Sequence, residues 1–321
     1  MGKPSKCVLI VDGNNISWRA AAVVGGDELT RRGADNIPTT MIDSMLNKRI
    51  REMKDYEWFD EVVPLVTFDL PSSMREAGDP EDAAINRWTF YTDYKANRRD
   101  DHEDAQRTAE INERNAWRLK WERKLVEDGI TVLGHPGTEA DDLMAYTAGQ
   151  ISTRTGDDVS VALWTSDKDL MQAINDQRRV FMYRKRKNRS TGVMEETRVD
   201  ECEVFKEKGV PAAKIRAHLA LLGDGADNYH GIMQYGGKRG VNVVNASDGT
   251  YPSLLDELLK DEEKRLARKI KSGEVDWPSF RVNVADQLER NWVLAGCGAE
   301  YMGSTATSMA DQAVDDIISK L

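Results

Sequence analysis

Acidic residues in this sequence stand directly after apolar runs that have the length and composition of β-strands. Asp12 follows such a run in VDGNN, Asp69 follows another in TFD, and Asp167 and Asp169 follow a third in TSDKD. A single Asp after a strand is more often a turn or N-cap residue. The recurrence of the pattern instead indicates a pocket of carboxylates, which suits hydrolysis assisted by divalent metal ions.

A further acidic segment, GTEADDLMA, has the pattern of a helix N-terminus. Thr138 is the predicted N-cap, and Glu139, Asp141 and Asp142 then occupy the first turn, where acids also compensate the helix dipole. So many acids exceed what that role requires, and we expect them to join the pocket beside Asp12. The apolar stripe that would hold this end of the helix against the sheet consists of Ala140, Met144, Ala148 and Ile151.

Carboxylates gathered in one pocket need cations to stay ionised. Two of them about 4 Å apart repel by roughly 4 kcal/mol at an effective dielectric constant near 20. Oxygen ligands favour Mg²⁺ or Mn²⁺. A calcium loop counted from Asp12 or Asp167 has Val23 or Arg178 where Glu is required. No zinc site is predicted, because the histidines lack paired spacing; they are His102, His135, His218 and His230.

The elements that must position these acids alternate between strand and helix patterns. The alternation predicts an α/β protein with a mainly parallel central sheet flanked by helices, in which the carboxyl ends of the strands share one edge. Residues 188–192 are predicted to form the turn of a small hairpin outside the core sheet. The apolar runs typical of strands lie at 7–11, 62–68, 130–133, 159–164 and 180–183.

Composition limits the class of protein. The chain has 321 residues, of which 40% are apolar, enough for a proper core. We expect a protein of the reducing cytoplasm, because no apolar run suits a membrane span or a signal peptide and the three cysteines are too few for a disulfide framework. The net charge of −10 argues against a nucleic-acid partner only superficially, because the cations are clustered.

Three segments could hold nucleic acid. The first is a glycine-rich segment before a helix predicted near Val241, where backbone amides can approach phosphates, although a flexible turn is the alternative. The residues predicted to bind DNA there are Gly236, Gly237, Lys238, Arg239 and Gly240. Basic residues between 178 and 189 favour a duplex contact over a merely solvated charge run. A third interleaves cations with aromatic residues that can stack on single-stranded bases, with a solvated helix surface as the alternative. Its residues are Arg87, Trp88, Phe90, Tyr91, Tyr94, Lys95, Arg98 and Arg99.

Asp224 and Asp227 lie three apart in LLGDGADN, directly after an apolar helix pattern. They could share one metal ion, although a turn that ends a helix explains them equally well. Beyond residue 250 the sequence is helical in pattern and carries no motif. We therefore expect function to lie before that point.

The motifs VDGNN, DYKANR, GTEADD, TSDKD, and GDGADN followed by GGKRG occur in this order along residues 6–259. Together they resemble the bacteriophage flap endonucleases and the 5′-nuclease domain of bacterial DNA polymerase I. The resemblance implies a PIN-like 5′-nuclease fold with a helical arch at about 71–128 and a helix-hairpin-helix element at about 211–246. It divides the chain into an α/β nuclease core, 1–200, and a helical region, 201–321.

The resemblance also implies roles for individual residues. Tyr94 and Lys95 match the arch motif, through which a 5′ strand passes, and Arg87 and Arg98 match positions that grip phosphate. The family's helix-hairpin-helix element binds duplex backbone and often a K⁺ ion, but Gln234 replaces its usual glycine. The first metal site would consist of Asp12, Asp69, Glu139, Asp141 and Asp142, and the second of Asp167, Asp169, Asp224 and Asp227.

The sequence therefore predicts a structure-specific 5′-nuclease, both flap endonuclease and 5′-3′ exonuclease, that uses two Mg²⁺ or Mn²⁺ ions and acts as a monomer on DNA with 5′ flaps or 5′ ends. A phage gene would place it in the cytoplasm of a bacterial host. Alternatives are removal of RNA primers from RNA–DNA hybrids and binding of branched DNA without catalysis. A toprim-type or phosphatase fold explains only Asp167 and Asp169, and Asn14 stands where a haloacid-type phosphatase needs Asp.

Overall fold

The protein is described from a computed structural model, which places residues 5–24, 40–57, 59–69, 85–96, 105–188 and 190–321. The chain forms two compact units. The first combines Met1–Asn86, Arg98–Asp200 and Cys297–Leu321, and the second combines Arg87–Asn97 and Glu201–Gly296. Much of the predicted arch, namely 71–84 and 97–104, lies outside the described residues.

The first unit is built on a six-stranded sheet. The strands lie in the order β3-β2-β1-β4-β5-β6, and all neighbours run parallel except β5 and β6. This confirms the predicted α/β class with a mainly parallel sheet. The strands are β1 (Lys6–Asp12), β2 (Glu61–Thr67), β3 (Thr131–Leu133), β4 (Val159–Trp164), β5 (Val180–Lys187) and β6 (Met194–Val199).

The helices of the described residues fall into both units. Those of the first unit are α1, α2, α4, α5 and α11, and the others belong to the second. In chain order they are α1 (Gly13–Val24), α2 (Thr40–Glu57), α3 (Arg87–Phe90), α4 (Ala105–Glu127), α5 (Ala140–Arg154), α6 (Glu201–Lys208), α7 (Ile215–Leu222), α8 (Gly237–Ala246), α9 (Tyr251–Ser272), α10 (Trp277–Ala295) and α11 (Ser304–Lys320).

The strand order reverses beside β1, because the chain moves outward to β2 and β3 on one side and to β4 and β5 on the other. Open α/β sheets bind ligands in the crevice at such a switch point, outside the carboxyl ends of the strands. Here the crevice lies between the ends of β1 and β4, which pair from Lys6↔Val159 to Val11↔Trp164. Asp12 ends β1 at this crevice, and Thr165 follows β4 there.

One face of the sheet packs on α1, α2 and α4. Trp117 and Trp121 of α4 are fully buried in the core on this face, and the ring of Trp121 meets that of Phe68 edge to face at 5.5 Å. Leu125, four residues further along the helix, is also fully buried. Because residues four apart share one side of a helix, this narrow stripe is enough to dock an otherwise polar helix.

The other face carries α5, and α11 packs on α5 and against β3. Side chains alternate along a strand, so the fully buried Val8 and Ile10 lie on this second face. Polar contacts join α11 to the unit: the Tyr146 hydroxyl donates to Asp311 at 2.9 Å, and the Thr131 hydroxyl donates to Asp316 at 2.5 Å. The C-terminal helix is thus an integral part of the first unit rather than an appendage.

In the second unit, α7 is followed by the short strands β7 (Gly223–Asp224) and β8 (Tyr229–His230), a turn, and then α8. α10 packs on α7, and α9 packs on α8. Asn291 of α10 is fully buried and donates its side-chain amide to the carbonyls of Ala220 and His230, both at 2.9 Å. This side chain ties α7 to β8 and so fixes the hairpin between them.

The hairpin at residues 188–192 belongs to the core sheet, so the prediction that it lies outside was wrong. β5 begins among buried residues and leaves the core halfway, since 180–183 are buried whereas 184–187 alternate in exposure. β6 pairs with it along the whole exposed part as the antiparallel edge strand. Its polar sequence reflects this edge position.

None of the helices in the described part of the chain combines the length and apolarity that a membrane crossing needs.

Candidate metal centre

Asp12 lies at the carboxyl end of β1, at the switch point of the sheet. Its carboxylate accepts hydrogen bonds from the Asn15 amide and from the Thr165 hydroxyl, both at 2.8 Å. The next residue must be glycine, because a Cβ on Gly13 would lie 2.3 Å from Cε1 of Phe68. The sequence VDG therefore allows the start of α1 to approach the segment that follows β2.

Burial raises the pKa of the Asp12 carboxyl from 3.8 to about 7. The hydrogen bonds from Asn15 and Thr165 lower this pKa, whereas the negative charges of Asp69 and Asp167 raise it further. Both acids are therefore near enough to act on Asp12. A carboxylate in such surroundings is stabilised in its charged form by a cation beside it.

Asp69 connects the end of β2 to the start of α5. Its carboxylate accepts the backbone N–H of Ala140 at 2.7 Å. Glu139, rather than the predicted Thr138, is the N-cap residue, and its own side chain makes no capping hydrogen bond. The helix starts one residue later than predicted because a carboxylate from another strand satisfies its first amide. The same contact thus caps α5 and brings Asp69 to the acids at the start of that helix.

Three carboxylates meet at the start of α5. One ligand oxygen from each of Glu139, Asp141 and Asp142 lies within 4.8 Å of the other two. Glu139 and Asp142 are only 5% and 1% exposed. Each such pair repels by roughly 3 kcal/mol at an effective dielectric constant near 20. Among the residues that the structure places, this is the group of acids whose spacing can hold a metal ion.

The segment after β4 brings two more acids to the same edge. The Thr165 hydroxyl, which donates to Asp12, accepts the Asp167 amide at 3.0 Å. The Asp167 carboxylate in turn accepts the Asp169 amide at 2.9 Å, at the start of a 3₁₀ turn over Asp169–Ala173. Asp169 is buried and Asp167 is exposed. A chain of hydrogen bonds therefore leads from Asp12 to Asp169.

The predicted acids of the first unit thus line one edge of the sheet, and they suit a hard divalent cation. All of them offer oxygen atoms, several are buried, and their mutual repulsion falls when a cation lies among them. Mg²⁺ and Mn²⁺ prefer such ligands. These acids are Asp12, Asp69, Glu139, Asp141, Asp142, Asp167 and Asp169.

Asp224 and Asp227 lie in the second unit, at the hairpin between β7 and β8. Asp224 accepts the amide of Ala226 at 2.8 Å, a contact typical of the turn that was the alternative explanation for these acids. Asp227 accepts the Tyr94 hydroxyl at 3.2 Å and lies 3.9 Å from Nζ of Lys95. The predicted ligand Asp227 is therefore paired with the predicted arch motif.

The arch motif is part of the second unit. Tyr94 and Lys95 are 1% and 6% exposed, and the Lys95 amide donates to the carbonyl of Asp227 at 3.0 Å. Lys95 has a φ of 51°, in the left-handed region. The buried guanidinium of Arg87 donates to a main-chain carbonyl at the end of α10. Arg98, the remaining phosphate-gripping candidate, lies outside the described residues.

The glycines of the helix-hairpin-helix segment have different functions. Gly236 is the N-cap of α8 and Gly237 has a φ of 58°, so the helix begins earlier than the predicted start near Val241. Lys238 is exposed beside these amides. Gly240 serves packing, because a Cβ there would lie 2.2 Å from a main-chain carbonyl oxygen. The first turn of α8 therefore presents the amides and the lysine together.

Arg239 is engaged within its own unit. Its Nε donates to Asp261 at 2.9 Å, its guanidinium lies 3.6 Å from Glu262, and it stacks 4.5 Å from the centre of the Tyr235 ring. The Tyr235 hydroxyl donates to Asp261 at 2.7 Å. This network holds α8 against α9. Lys238 is consequently the better placed of the two cations for a phosphate.

Gln234 has a left-handed backbone with a φ of 70°. A side chain in that region costs about 1–2 kcal/mol, and glycine removes the cost. We expect Gln234→Gly to raise the free energy of unfolding by about 0.5–1 kcal/mol in urea denaturation, even after the extra freedom of the unfolded chain is subtracted. Met233→Gly is the matched control: Met233 is exposed, has no positive φ, and should lose stability. A less stable Gln234→Gly variant would contradict the strain argument.

The basic run on β5 is partly neutralised by its neighbouring strand. In the register of β5 and β6, Lys185 lies opposite Glu196 and Arg186 lies opposite Glu195. Opposite charges at facing positions attract each other and weaken the field that a phosphate would feel. The hairpin is therefore a weaker candidate for a DNA contact than Lys238.

Two contributors to the site were missed from the sequence. Thr165 directly follows β4 and precedes the acids, so its position after a strand was a usable signal. The amide of Gly298 donates to Asp142 at 3.0 Å. Gly298 belongs to no motif, and no local pattern could have indicated this contact.

The 5′-3′ exonuclease N-terminal resolvase-like domain family matches residues 7–209 of this chain. DNA polymerase I of Mycobacterium bovis is 28% identical over 255 residues, which are 78% of this chain and 24% of that protein. A 5′-3′ exonuclease of Aquifex aeolicus is 33% identical over 136 residues, which are 42% of this chain and 41% of the relative. The chain thus spans about a quarter of the length of the DNA polymerase I relatives that it matches.

Two solved structures of bacteriophage T5 proteins share the fold. The T5 5′-exonuclease with bound zinc ions has a TM-score of 0.66 at 18% identity, with 98% of both chains covered. The T5 D15 protein co-crystallised with metal ions has a TM-score of 0.64 at 17% identity, with the same coverage. Fold and acidic edge together define a resolvase-like α/β domain whose clustered acids can hold a metal ion. The chain belongs to the 5′-3′ exonuclease family, as the sequence motifs predicted.

Proposed function

We propose that this chain is a structure-selective 5′-nuclease that hydrolyses phosphodiester bonds at 5′ flaps and 5′ ends of DNA. The observation that carries the proposal is the edge of acids at the switch point of the sheet, with three carboxylates within 4.8 Å of one another. Membership of the 5′-3′ exonuclease family supports it. The fold is also shared with the bacteriophage T5 D15 flap endonuclease, which has been crystallised in a complex with DNA and metal ions.

The acids of the first unit would hold the metal ions. Two divalent cations, Mg²⁺ or Mn²⁺, would supply an activated water and neutralise the leaving oxygen. Glu139, Asp141 and Asp142 form the tightest group for one of them, with Asp12 and Asp69 completing that site. For the second site we assign Asp167, Asp169, Asp224 and Asp227. The products would carry 5′-phosphate and 3′-hydroxyl ends.

Tyr94, Lys95, Arg87 and Arg98 would act on the phosphates and bases of the 5′ strand. Lys95 has a buried ammonium group that forms an ion pair with Asp227, 3.9 Å away. A scissile phosphate could take the place of that carboxylate as the partner of the lysine, because both are anions with oxygen acceptors. The Tyr94 hydroxyl also donates to Asp227. It would lose this hydrogen bond when a phosphate replaces the carboxylate.

Duplex DNA would contact the helix-hairpin-helix element. The amides of Gly236 and Gly237 and the exposed Lys238 lie at the start of α8, where the helix dipole favours a phosphate. Gly240 and Arg239 would support this loop through their contacts within the second unit. A K⁺ ion in the loop is part of the proposal. Gln234 stands where the family usually has glycine, and its φ of 70° lies in the left-handed region that glycine adopts most readily. We further propose a cytoplasmic monomer.

Cleavage of matched labelled substrates tests this function. The set comprises a 5′ flap, a duplex with a recessed 5′ end, a single strand, and an RNA–DNA hybrid of the same sequence, each with MgCl₂ or with EDTA. We expect cutting at the base of the flap and from the 5′ end, only with Mg²⁺. Binding of branched DNA without cutting would favour the non-catalytic alternative. Preferential cutting of the hybrid would favour primer removal.

A further inference from the structure

Residues 297–321 belong to the first unit, although the family match ends at residue 209. Within this segment the Gly298 amide donates to Oδ1 of Asp142 at 3.0 Å, and Asp142 is 1% exposed. We infer that Gly298 is a positioning residue for the metal centre, which orients the Asp142 carboxylate toward the bound cation. The inference rests on the proposed function, because it takes Asp142 to be a metal ligand.

The backbone of Gly298 explains why this residue is glycine. Its φ of 113° and ψ of −152° lie in a region that is open essentially only to glycine. A Cβ added there would meet the Cβ of Ala145 at 4.0 Å, an ordinary contact. The requirement is therefore conformational and not steric. Any other residue would change φ and turn the amide away from Asp142.

The segment around Gly298 is held firmly on both sides. The Tyr301 amide donates to the Gly298 carbonyl at 3.0 Å, which closes a short 3₁₀ turn, and the Tyr301 side chain is 1% exposed. After this turn, α11 packs on α5, the helix that carries Asp142. The donor and the acceptor of the bond are thus attached to the same packed pair of helices, so the amide stays in place when the carboxylate is free of metal.

The bond opposes the repulsion among the acids. Without a donor, the Asp142 carboxylate could rotate away from Glu139 and Asp141 to lower the repulsion that their spacing creates. A hydrogen bond to a charged acceptor is roughly twice as strong as a neutral one. Contacts that orient metal ligands typically change metal affinity by about 10- to 100-fold. An effect of this size is expected here.

Gly298→Ala tests the inference. Mn²⁺ binding to the variant is measured from the electron paramagnetic resonance signal of the free ion. We expect the dissociation constant for Mn²⁺ to rise by about 10- to 100-fold. The kcat for a 5′ flap should fall at low Mn²⁺ and recover at high Mn²⁺, whereas KM for DNA should not change. Wild-type Mn²⁺ affinity in a folded Gly298→Ala variant would overturn the inference.

Gly129→Ala is the matched control. Gly129 also has a positive φ, 76°, and no atom lies within 4 Å of an added Cβ, but it sits in the turn before β3 and bonds no acid of the site. The variant should lose stability from the strain of a side chain at positive φ and keep its Mn²⁺ affinity. An equal loss of affinity in both variants would show a general effect of strain and would overturn the inference.

The sequence also allows the hydrogen bond to be removed alone, should Gly298→Ala fail to fold. A synthetic peptide 297–321 begins with Cys297, so native chemical ligation to a thioester of residues 1–296 restores the full chain. An ester in place of the amide between Cys297 and Gly298 replaces the glycine by glycolic acid, which removes the N–H donor and still has no side chain. Weaker Mn²⁺ binding by the ester chain than by the ligated amide chain is the expected result.

Equal Mn²⁺ affinity of the ester and amide chains would overturn the inference. So would an ester chain that fails to fold when the amide chain folds, because the bond would then be purely structural. A wild-type protein that binds no Mn²⁺ and cuts no flap would instead defeat the proposed function. The two failures are therefore distinguishable.

Discussion

Asp142→Asn is expected to lower kcat for flap cleavage by roughly a hundred- to a thousandfold, the range found when one group that stabilises transition-state charge is removed. The substitution neutralises one member of the three-carboxylate group and keeps nearly the same shape. The amide oxygen of asparagine can still accept the Gly298 N–H, which lies 3.0 Å from Oδ1 of Asp142. The loss should therefore reflect charge and metal binding rather than a displaced segment.

The measurement is single-turnover cleavage of a labelled flap, together with Mn²⁺ titration and circular dichroism. Asp55→Asn is the control, because Asp55 undergoes the same chemical change on the exposed surface of α2. It should cut at the wild-type rate. If Asp142→Asn cut the flap as fast as wild type in Mg²⁺, Asp142 would have to be removed from the metal site.

Asp12→Asn is expected to act in opposite directions on stability and on activity. In the metal-free protein the pKa of Asp12 is about 7, compared with 3.8 in its ordinary state. The folded protein then binds more protons than the unfolded chain between these values, so stability falls as the pH rises from about 4 to 7 and remains lower above that. Asparagine removes this cost, but it also removes a ligand and should lower flap cleavage by roughly a hundredfold or more.

Thermal unfolding in EDTA at pH 8 and pH 4 measures the stability effect. We expect the Tm of Asp12→Asn to exceed that of wild type by roughly 3 °C or more at pH 8, and the two values to converge at pH 4. Saturating Mg²⁺ should stabilise wild type more than the variant, because only wild type keeps the full site. Asp60→Asn, an exposed change before β2, should show no such pH dependence. A lower Tm for Asp12→Asn in EDTA at pH 8 would contradict the argument.

The opposite signs follow from the way the site is built. The fold places acids next to each other and away from water, as at Glu139 and Asp142, which are 5% and 1% exposed. Such an arrangement lowers the stability of the metal-free protein and raises its affinity for a cation, because both effects come from the same repulsion. Stabilising substitutions at these positions should accordingly remove function.

The strands could be read from the sequence because their signals are local. The run 159–164 is entirely buried and matches the predicted strand at both ends, since apolar residues between turn signals favour a buried parallel strand. The hairpin at 188–192 was placed outside the sheet because its polar flanks conceal the pairing of β6 with β5. Whether an edge strand joins a sheet depends on its partner and not on its own composition.

The sequence by itself determined the α/β class, the acids at the strand ends, and the family, because periodicity and short motifs are properties of neighbouring residues. Only the tertiary structure decided how the acids are held: Asp69 caps α5 from 71 residues away, and Gly298 bonds Asp142 from 156 residues away. It also showed that Arg239 is tied to Asp261 while Lys238 is exposed. These contacts join residues that are far apart along the chain, so no local pattern can encode them, and packing alone brings them together.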